Sequence, residues 1–368
     1  MAKKQNITKN YQPVIGIVGG GQLGRMIALA GHKRGHKIVV LSDQAHSPAC
    51  QVVEQSFVGD YLDEKILEKF CNAIDIATIE FENIPLQCAE FIAHKVEFSP
   101  SVEVLKITQH RLLEKNFLNS IAVKTTPYLA IKNFEDLQKG LKDFKKAILK
   151  TALMGYDGKG QEPLTDKISD SKLLEIYEKF QNNQQKIPLI LEQFCKFDQE
   201  ISVIVARNKN GEIACYDPVT NIHKNGILYR SNYPANISAK VLDRSKKIAA
   251  DIARSFNLIG ILAVEFFVVD EQLLVNEMAP RPHNSGHFSM DACLTSQFEQ
   301  VIRSITNCPF GATNYFAKGY MQNLLGDEIF ALEQYQQDPF AKIHIYGKDQ
   351  AIEGRKMGHV NIIKIENK

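Results

Sequence analysis

The sequence predicts an α/β fold that passes into an α+β fold within a chain of 368 residues. The first part alternates short apolar strands with helices, which is typical of a parallel sheet with helices on both faces. The middle part contains paired β-rich runs, of which residues 261–269 and 273–277 form the clearest antiparallel hairpin. The last part is small and mostly β. A chain of this length is expected to form two or three domains.

Composition and charge favour a globular protein that acts on small molecules. The apolar fraction is 44%, the charged fraction is 23% and the net charge is +2, so no polyanion such as nucleic acid is indicated as a partner. No window approaches the roughly 18 apolar residues of a membrane span. The seven cysteines form no CxxC pair and are odd in number, which suits the reducing cytoplasm. Residues 1–12 lack the apolar core of a signal peptide, and we expect a flexible extension there.

A strand, a glycine-rich turn and a helix start occupy residues 14–25. Gly19, Gly21 and Gly24 have the spacing GxGxxG, and Asp43 follows about 20 residues later, as in dinucleotide-binding folds. Glycines let the backbone approach a phosphate at a helix N-terminus. The turn therefore indicates a phosphate site, and a nicotinamide-dependent oxidoreductase stays open on these residues alone.

Further βα units follow, with predicted strands at 56–58 and 75–79 and predicted helices at 62–72 and 86–94. Glu80, Glu82 and Asn83 come directly after the fourth strand. Loops at the carboxyl ends of parallel strands bind ligands, so these side chains are expected to face the same site as the glycine turn. The alternative for Glu82 is an ordinary acidic residue at a helix start.

The second α/β unit contains a lysine-ended strand and a glycine-rich loop. A predicted helix at 110–118 leads to the strand 147–150, which ends in a lysine, and then to the loop 155–161. The loop interleaves three glycines with Asp157 and Lys159, so it can close over phosphates as a mobile flap. The GxxxxGK[ST] pattern is absent, and a plain hairpin tip is the alternative.

Several polar residues in the next part of the chain are candidates for a ligand contact or a helix cap. Glu192–Cys195, at the end of a strand, resembles a hinge whose backbone reads an adenine edge. Asn221 and His223 are predicted to lie in a polar loop. Ser238 is expected to cap a scaffold helix with a solvated basic face.

Two carboxylates dominate the predicted hairpin. With a turn centred on Glu271, Glu265 and Glu277 fall opposite each other on one face. Opposed carboxylates repel unless a cation lies between them. Magnesium binds one or two carboxylates plus nucleotide phosphates, so the pair indicates a metal-nucleotide site. The alternative is two solvated glutamates in another register.

The loop 278–287 follows the hairpin and is rich in donors. Arg281, His283, Asn284 and Ser285 could together bind a small oxyanion. The sequence Asn-Ser-Gly between His283 and His287 argues against a helical zinc pair. A helix is predicted after position 297, and a small β segment with the cations Lys348 and Arg355 completes the chain.

Taken in order, these motifs resemble the N5-carboxyaminoimidazole ribonucleotide synthase family of ATP-grasp enzymes over about residues 14–363. The most specific matches are Ala-Pro-Arg-Pro-His-Asn-Ser-Gly-His at 279–287 and Gly-Arg-Lys-Met-Gly-His at 354–359. The resemblance implies an ATP-grasp fold with a Rossmann-like pre-ATP-grasp domain, an ATP-grasp domain and a small C-terminal β-rich domain. The expected ranges are 13–105, 106–300 and 301–368.

The resemblance also implies an activity in purine biosynthesis. ATP and bicarbonate would form carboxyphosphate, and 5-aminoimidazole ribonucleotide would be carboxylated to N5-carboxyaminoimidazole ribonucleotide, with ADP and phosphate as products. The expected cofactors are ATP and Mg²⁺, with Mn²⁺ as a substitute. A cytoplasmic homodimer is expected.

Site residues are implied by the same resemblance, position by position. ATP would contact Arg111, Lys150, Gly155, Tyr156, Asp157, Gly158, Lys159, Gly160, Gln161, Glu192, Gln193, Phe194, Cys195, Glu200, His223, Asn276 and Glu277. The ribonucleotide would contact Gln22, Leu23, Glu80, Glu82, Tyr156, Lys159, Lys348 and Arg355. Magnesium would bind Glu265 and Glu277, and bicarbonate would bind Arg281, His283, Asn284 and Ser285. Asp157, Arg281 and Lys348 would be catalytic, with Asp157 as the proton acceptor.

Three alternatives remain at this point: a formate-dependent glycinamide ribonucleotide transformylase, a nicotinamide-dependent oxidoreductase and a non-catalytic nucleotide sensor. The chain also departs from the family pattern in two places. Met154 stands where a second glycine often precedes the flap, and the chain after position 363 is shorter than in some relatives.

Overall fold

A computed structural model describes residues 12–153, 160–181 and 187–364. Nearly all of the predicted N-terminal extension therefore lies outside the described residues. Within those ranges, no helix combines the length and apolar character that a membrane crossing requires.

The first part of the chain is a parallel sheet with strand order β3-β2-β1-β4-β5. Its elements are β1 (Ile15–Val18), α1 (Gln22–Lys33), β2 (Ile38–Ser42), β3 (Gln55–Val58), α2 (Glu64–Cys71), β4 (Ile76–Ile79), α3 (Leu86–Ala93) and β5 (Glu97–Ser99). Strands β1, β2 and β4 are buried on both faces, which explains their continuous apolar sequence. The predicted βα alternation is confirmed.

The second part is a four-stranded antiparallel sheet with order β6-β9-β7-β8. Its elements are α4 (Val102–Thr108), α5 (Arg111–Ser120), β6 (Tyr128–Ile131), α6 (Phe134–Phe144), β7 (Lys146–Thr151), β8 (Gln161–Thr165), α7 (Asp170–Gln181) and β9 (Leu189–Gln193). Leu149 and Leu191 pair across β7 and β9 and are fully buried in the core of this sheet. Lys150 is the next residue of β7, so its side chain points to the other face of the sheet.

The third part is an antiparallel sheet of nine described strands, in the order β15-β14-β10-β12-β13-β16-β18-β17 with β11 paired to β10. Its elements are β10 (Gln199–Arg207), β11 (Ile213–Cys215), β12 (Val219–Lys224), β13 (Ile227–Tyr233), α8 (Ala239–Ser255), β14 (Gly260–Val269), β15 (Gln272–Ala279), α9 (Ser289–Ala292), α10 (Gln297–Ile305), β16 (Lys318–Leu325), α11 (Glu333–Gln336), β17 (Ala341–Ile345) and β18 (Lys356–Lys364). Strand β16 pairs with β13, so the C-terminal strands extend the central sheet. The predicted domain boundaries stay a prediction.

The hairpin β14–β15 closes differently from the prediction. Val269 pairs with Gln272, so the turn has two residues, Asp270 and Glu271, both with positive φ as a type I′ turn requires. This register alone would place Asn276 opposite Glu265. A β-bulge shifts the pairing by one residue between Val264 and Phe266, so that Asn276 and Glu277 together face Glu265. The predicted three-residue turn is therefore wrong, and the bulge, rather than the turn, places Glu277 opposite Glu265.

Asn221 and His223 lie in strand β12, so the predicted polar loop is wrong. The Nδ2 of Asn221 donates to the Oγ of Ser202 at 3.1 Å, and the Oγ of Ser231 donates to the Oδ1 of Asn221 at 2.8 Å. Hydroxyl groups on the neighbouring strands thus satisfy this buried amide, and sequence alone does not show such partners.

One hydrophobic core fixes the first sheet against the third. Ile27 on α1 is fully buried with Phe298 and Ile302 of α10, and the same cluster contains Ile261 of β14. The first and third sheets are therefore held together by a shared core beside the cleft.

Truncation of this core is expected to weaken the whole protein. Ile27→Ala should lower the free energy of unfolding by about 2–5 kcal/mol, because it removes buried methyl groups and leaves a cavity. Leu29→Ala on the same helix is the control, since Leu29 is 49% exposed and should change stability by about 0.5 kcal/mol at most. Urea unfolding measures both, and equal losses would contradict this packing.

Candidate active site

A cleft of about 810 Å³ opens where the three sheets meet. Many of the predicted site residues line it, namely Gln22, Leu23, Glu80, Glu82, Asn83, Arg111, Glu277, Arg281, His283, Asn284, Lys348 and Arg355. Most of the flap, including Gly155, Tyr156, Asp157, Gly158 and Lys159, lies outside the described residues, whereas Gly160 and Gln161 lie at the start of β8. The structure thus gathers side chains from distant parts of the sequence into one cavity.

The glycine turn at one wall of the cleft binds a carboxylate of its own chain. The amide of Gly21 donates to Oε1 of Glu80 at 2.8 Å, and the amide of Gly24 donates to Oε2 at 3.2 Å. Glu80 is buried, and burial raises its pKa while these two amides oppose the rise. Glu80 thus occupies these two amides in this structure, and the expected phosphate site at the glycine turn stays a prediction.

Arg281 faces the cleft but is paired with Glu82. Its Nε and Nη2 both donate to that carboxylate, the latter at 2.8 Å, and its Nη1 donates to the carbonyl of Pro282 at 3.0 Å. Burial raises the pKa of Glu82, but Arg281 outweighs burial and lowers the pKa below its ordinary value. The pair joins the loop after β4 to the loop after β15, and it fixes the guanidinium plane.

A cluster of cations surrounds the buried Glu192 of β9. Its Oε2 lies 3.1 Å from the Nζ of Lys150 and 3.4 Å from the Nζ of Lys115, while Oε1 has no partner among the described residues. Burial raises the pKa of Glu192, but Lys150, Lys115 and Arg111 together lower it to about 2. Three cations around one carboxylate leave a net positive charge that is suited to phosphate groups.

Sequence reasoning missed Lys115, which is 1% exposed on α5. A fully buried lysine is rare unless it is paired, and the spacing of α5 alone gives no sign of its partner. Its position four residues after Arg111, on the same face of the helix, was the available signal.

Glu265 and Glu277 lie on the same side of the hairpin. Burial raises the pKa of Glu265 well above its ordinary value, with Glu277 and Glu200 adding to the rise. The Oε2 of Glu277 accepts from the Nη1 of Arg111 at 3.2 Å, and the Oε1 of Glu265 lies 3.2 Å from the Nε2 of His283. This excess of acidic groups fits a cation.

No group of three or more His, Cys, Asp or Glu side chains among the described residues has a metal-binding arrangement. Two carboxylates that rely on additional oxygen ligands match magnesium bound to a nucleotide, rather than a closed metal cage. Glu200 and His223 are neighbours of the pair, with 3.1 Å between Oε2 of Glu200 and Nδ1 of His223.

The predicted oxyanion loop forms a 3₁₀ helix at Asn284–Phe288. His283 and Asn284 line the cleft, whereas Ser285 is fully buried behind them. Its Oγ accepts from Ser202 at 2.7 Å and lies 2.8 Å from the Nδ1 of His283. Ser285 thus orients the imidazole of His283 in this structure.

Glu114 on α5 is a second residue that sequence reasoning missed. It lines the cleft, accepts a hydrogen bond from the amide of Met278 and is 2% exposed. Burial raises the pKa of Glu114 to about 8, and Glu277 adds to the rise. The side chain therefore links α5 to the acidic hairpin.

The backbone of the predicted adenine hinge is partly used within the sheet. The amide of Gln193 donates to the carbonyl of Pro127 at 2.9 Å, and the amide of Phe194 donates to the carbonyl of Lys146 at 2.9 Å. A contact between the hinge and an adenine base would therefore be made by the carbonyl groups of the hinge or by Cys195.

Comparisons with known proteins agree with this geometry. Residues 13–109 match the ribonucleotide synthetase preATP-grasp domain, residues 116–298 match the ATP-grasp domain, and residues 319–368 match the phosphoribosylaminoimidazole carboxylase C-terminal domain. The fold and the cleft therefore define an ATP-grasp enzyme.

Individual relatives identify the family of ATP-grasp enzymes to which the chain belongs. The chain is 40% identical over 352 residues to N5-carboxyaminoimidazole ribonucleotide synthase of Brucella melitensis, covering 95% of this chain and 96% of the relative. The Staphylococcus aureus N5-carboxyaminoimidazole synthetase complexed with ADP superposes with a TM-score of 0.89 at 34% identity, covering 96% of this chain and 94% of that one. The Aspergillus clavatus enzyme in complex with ADP and 5-aminoimidazole ribonucleotide has a TM-score of 0.88 at 26% identity, with the same coverage. The chain belongs to the N5-carboxyaminoimidazole ribonucleotide synthase family.

Buried histidines next to the cleft predict acid sensitivity. Burial lowers the pKa of His359 and His287 well below 6.5, so both stay neutral in the folded chain. As pH falls below about 6.5, the unfolded chain takes up protons that the folded chain does not, and stability decreases by about 1.4 kcal/mol per pH unit for each histidine.

His359→Gln removes one group that takes up a proton only on unfolding. The free energy of unfolding should therefore depend less on pH between about pH 6.5 and 5. The slope should become shallower by about 1.4 kcal/mol per pH unit. Urea unfolding at several pH values measures the slopes. Equal slopes for His359→Gln and the parent would contradict the neutral state of His359.

Proposed function

We propose that this chain carboxylates 5-aminoimidazole ribonucleotide with bicarbonate and ATP, giving N5-carboxyaminoimidazole ribonucleotide, ADP and phosphate in purine biosynthesis. Membership of the synthase family carries the assignment, and the Aspergillus relative bound to ADP and 5-aminoimidazole ribonucleotide supports both ligands. The cleft is lined by Arg111, by Glu277 of the acidic hairpin and by Arg281, His283 and Asn284 of the donor-rich loop.

ATP is assigned to the region between the second and third sheets. Lys150 and Arg111 would contact its phosphates, and Lys115 would keep Glu192 ionised beside them. The excess positive charge here favours phosphate oxygens and stabilises the phosphoryl group as it transfers to bicarbonate. The hinge at Glu192–Cys195, with Glu200, His223 and Asn276, would complete the nucleotide site.

Glu265 and Glu277 would hold magnesium together with the nucleotide phosphates. A bound divalent ion would screen the repulsion that raises the pKa of Glu265. When bound, the metal supplies charge neutralisation on the phosphates. Arg111, which contacts Glu277 here, would then be shared between that carboxylate and the nucleotide.

Bicarbonate is assigned to Arg281, with His283 and Asn284 beside it and Ser285 orienting the histidine. A guanidinium has five N–H donors, and Glu82 and Pro282 take three of those on Arg281. Two donors therefore remain for an anion, in a plane that Glu82 keeps fixed. We assign Arg281 to the transferring phosphoryl group as well.

The ribonucleotide is assigned to the first sheet and the C-terminal loop. Gln22 and Leu23 at the start of α1 would face its phosphate, together with Lys348 and Arg355, while Glu80 and Glu82 would lie near its ribose. Carboxyphosphate would break the C–O bond between its carboxyl carbon and the oxygen bound to phosphorus, and release carbon dioxide and inorganic phosphate. The substrate amine would then attack the carbon of carbon dioxide, and Asp157 is proposed to accept the proton that the amine loses. Tyr156 and Lys159 would complete the ribonucleotide site, and a closed flap is needed because carboxyphosphate must be protected from water.

We further propose a cytoplasmic homodimer with the predicted domain division. All seven cysteines are free thiols, which suits a reducing compartment.

The activity is tested by ADP release from ATP. Release should require both bicarbonate and 5-aminoimidazole ribonucleotide for full rate, and N5-carboxyaminoimidazole ribonucleotide should accumulate with it. Formate with glycinamide ribonucleotide serves as the control pair. Turnover with that pair alone would replace the proposal with a formate-dependent transformylase.

Arg281→Lys tests the bicarbonate site. The substitution keeps a positive charge opposite Glu82 but removes the planar fork, so bicarbonate-dependent ATP hydrolysis should fall by about 10- to 100-fold. Gln87→Ala on the exposed face of α3 is a control and should keep the parent rate. Hydrolysis at the parent rate in Arg281→Lys would remove Arg281 from the proposed site.

A further inference from the structure

The loop after β17 carries Lys348 into the cleft and contacts the first sheet. Tyr346 is 1% exposed, in the core shared by α1 and α10, and its hydroxyl lies 2.8 Å from the Nδ1 of His359. Gly347 follows with φ +76°, a conformation that favours glycine. Lys348 then lines the cleft.

Gln51, in the segment after β2, forms a hydrogen bond with the loop that carries Lys348. Its Nε2 donates to the carbonyl of Gly347 at 2.6 Å, and its Oε1 accepts from the Nη1 of Arg25 at 3.1 Å. The same Nη1 also donates to the carbonyl of Pro48 at 3.1 Å. Because arginine only donates, this contact fixes which end of the Gln51 amide is the oxygen, and it turns the NH₂ group toward Gly347.

A larger residue at position 347 would have to displace the end of the Gln51 side chain. A Cβ at position 347 would lie 2.3 Å from the Oε1 of Gln51. Positive φ and this close approach both call for glycine next to Lys348. An exposed glutamine that served only solubility would not require such a neighbour.

The position of the Lys348 backbone decides where its ammonium group lies. The Nζ of Lys348 donates to the carbonyl of Lys356 at 2.6 Å, and its charge acts on Glu80, which binds the glycine turn. Gln51 ties the Lys348 loop to the sheet that carries Glu80 and Gln22. It therefore adds a direct hydrogen bond between the two walls that would enclose the ribonucleotide, beside the core contact of Tyr346.

We propose that Gln51 is a positioning residue for the carboxylation, holding Gly347 so that Lys348 meets the ribonucleotide. This inference rests on the proposed function, which assigns Lys348 to that substrate. Gln51 acts on ribonucleotide binding and leaves the ATP and bicarbonate sites unaffected, because its contacts lie on the first sheet and the C-terminal loop.

The test is steady-state kinetics of Gln51→Met, which keeps the side-chain length and removes the hydrogen bonds to the carbonyls of Gly347 and His46 and the one from Arg25. The KM for 5-aminoimidazole ribonucleotide should rise by about three- to tenfold, because the Lys348 loop loses one neutral hydrogen bond. The KM for ATP and the bicarbonate-dependent ATP hydrolysis without ribonucleotide should stay at parent values. Gly347→Ala should shift the same KM in the same direction, and Gln87→Ala is the matched glutamine control.

A double-mutant cycle separates this role from a general structural one. In a Lys348→Met background, Gln51→Met should change the KM for the ribonucleotide by less than a further twofold. Gln51 is proposed to act only through Lys348, so its loss should matter little once that lysine is absent. A multiplicative effect, or an unchanged KM in Gln51→Met, would overturn the inference while the activity of the parent stands. A parent protein without ribonucleotide-dependent turnover would overturn the proposed function, and the inference with it.

Discussion

The site depends on ionisable groups that the fold buries close to one another. Glu265 is buried beside Glu277 and Glu200, while Lys115, Lys150 and Arg111 surround Glu192. Burial makes each unpaired charge costly, so such an arrangement is stable only when the surrounding fold imposes it. The hairpin bulge, the start of α5 and the strand pair β7–β9 impose it here. Under the proposed function, a nucleotide with its cation would supply the opposite charge to both groups.

Other contacts around the cleft satisfy charge internally. Glu80 fills the amides of the glycine turn, and Glu82 fixes Arg281. These two carboxylates belong to the same loop after β4, so one short segment ties the glycine turn to the donor-rich loop. The glycine turn thus serves a structural role in this chain that its spacing alone does not reveal.

The fold class could be predicted from the sequence because strand and helix periods are local patterns. The family and the activity followed from the resemblance of the motifs at 279–287 and 354–359. The contacts between side chains that lie far apart in the sequence could not be predicted. The bulge opposite Glu265 depends on tertiary packing, and the strand at Asn221 depends on hydroxyl groups from two other strands. Lys115 was missed because its partner Glu192 lies far along the chain. The assigned site residues remain proposals, and Asp157 and its neighbours in the flap lie outside the described residues.

The most direct measurement is anomalous diffraction from crystals grown with Mn²⁺ and a non-hydrolysable ATP analogue. A manganese peak should lie about 2.0–2.3 Å from carboxylate oxygens of both Glu265 and Glu277, and in contact with the nucleotide phosphates. A nucleotide bound with its metal away from both carboxylates would show that the bulged hairpin is not the metal-nucleotide site.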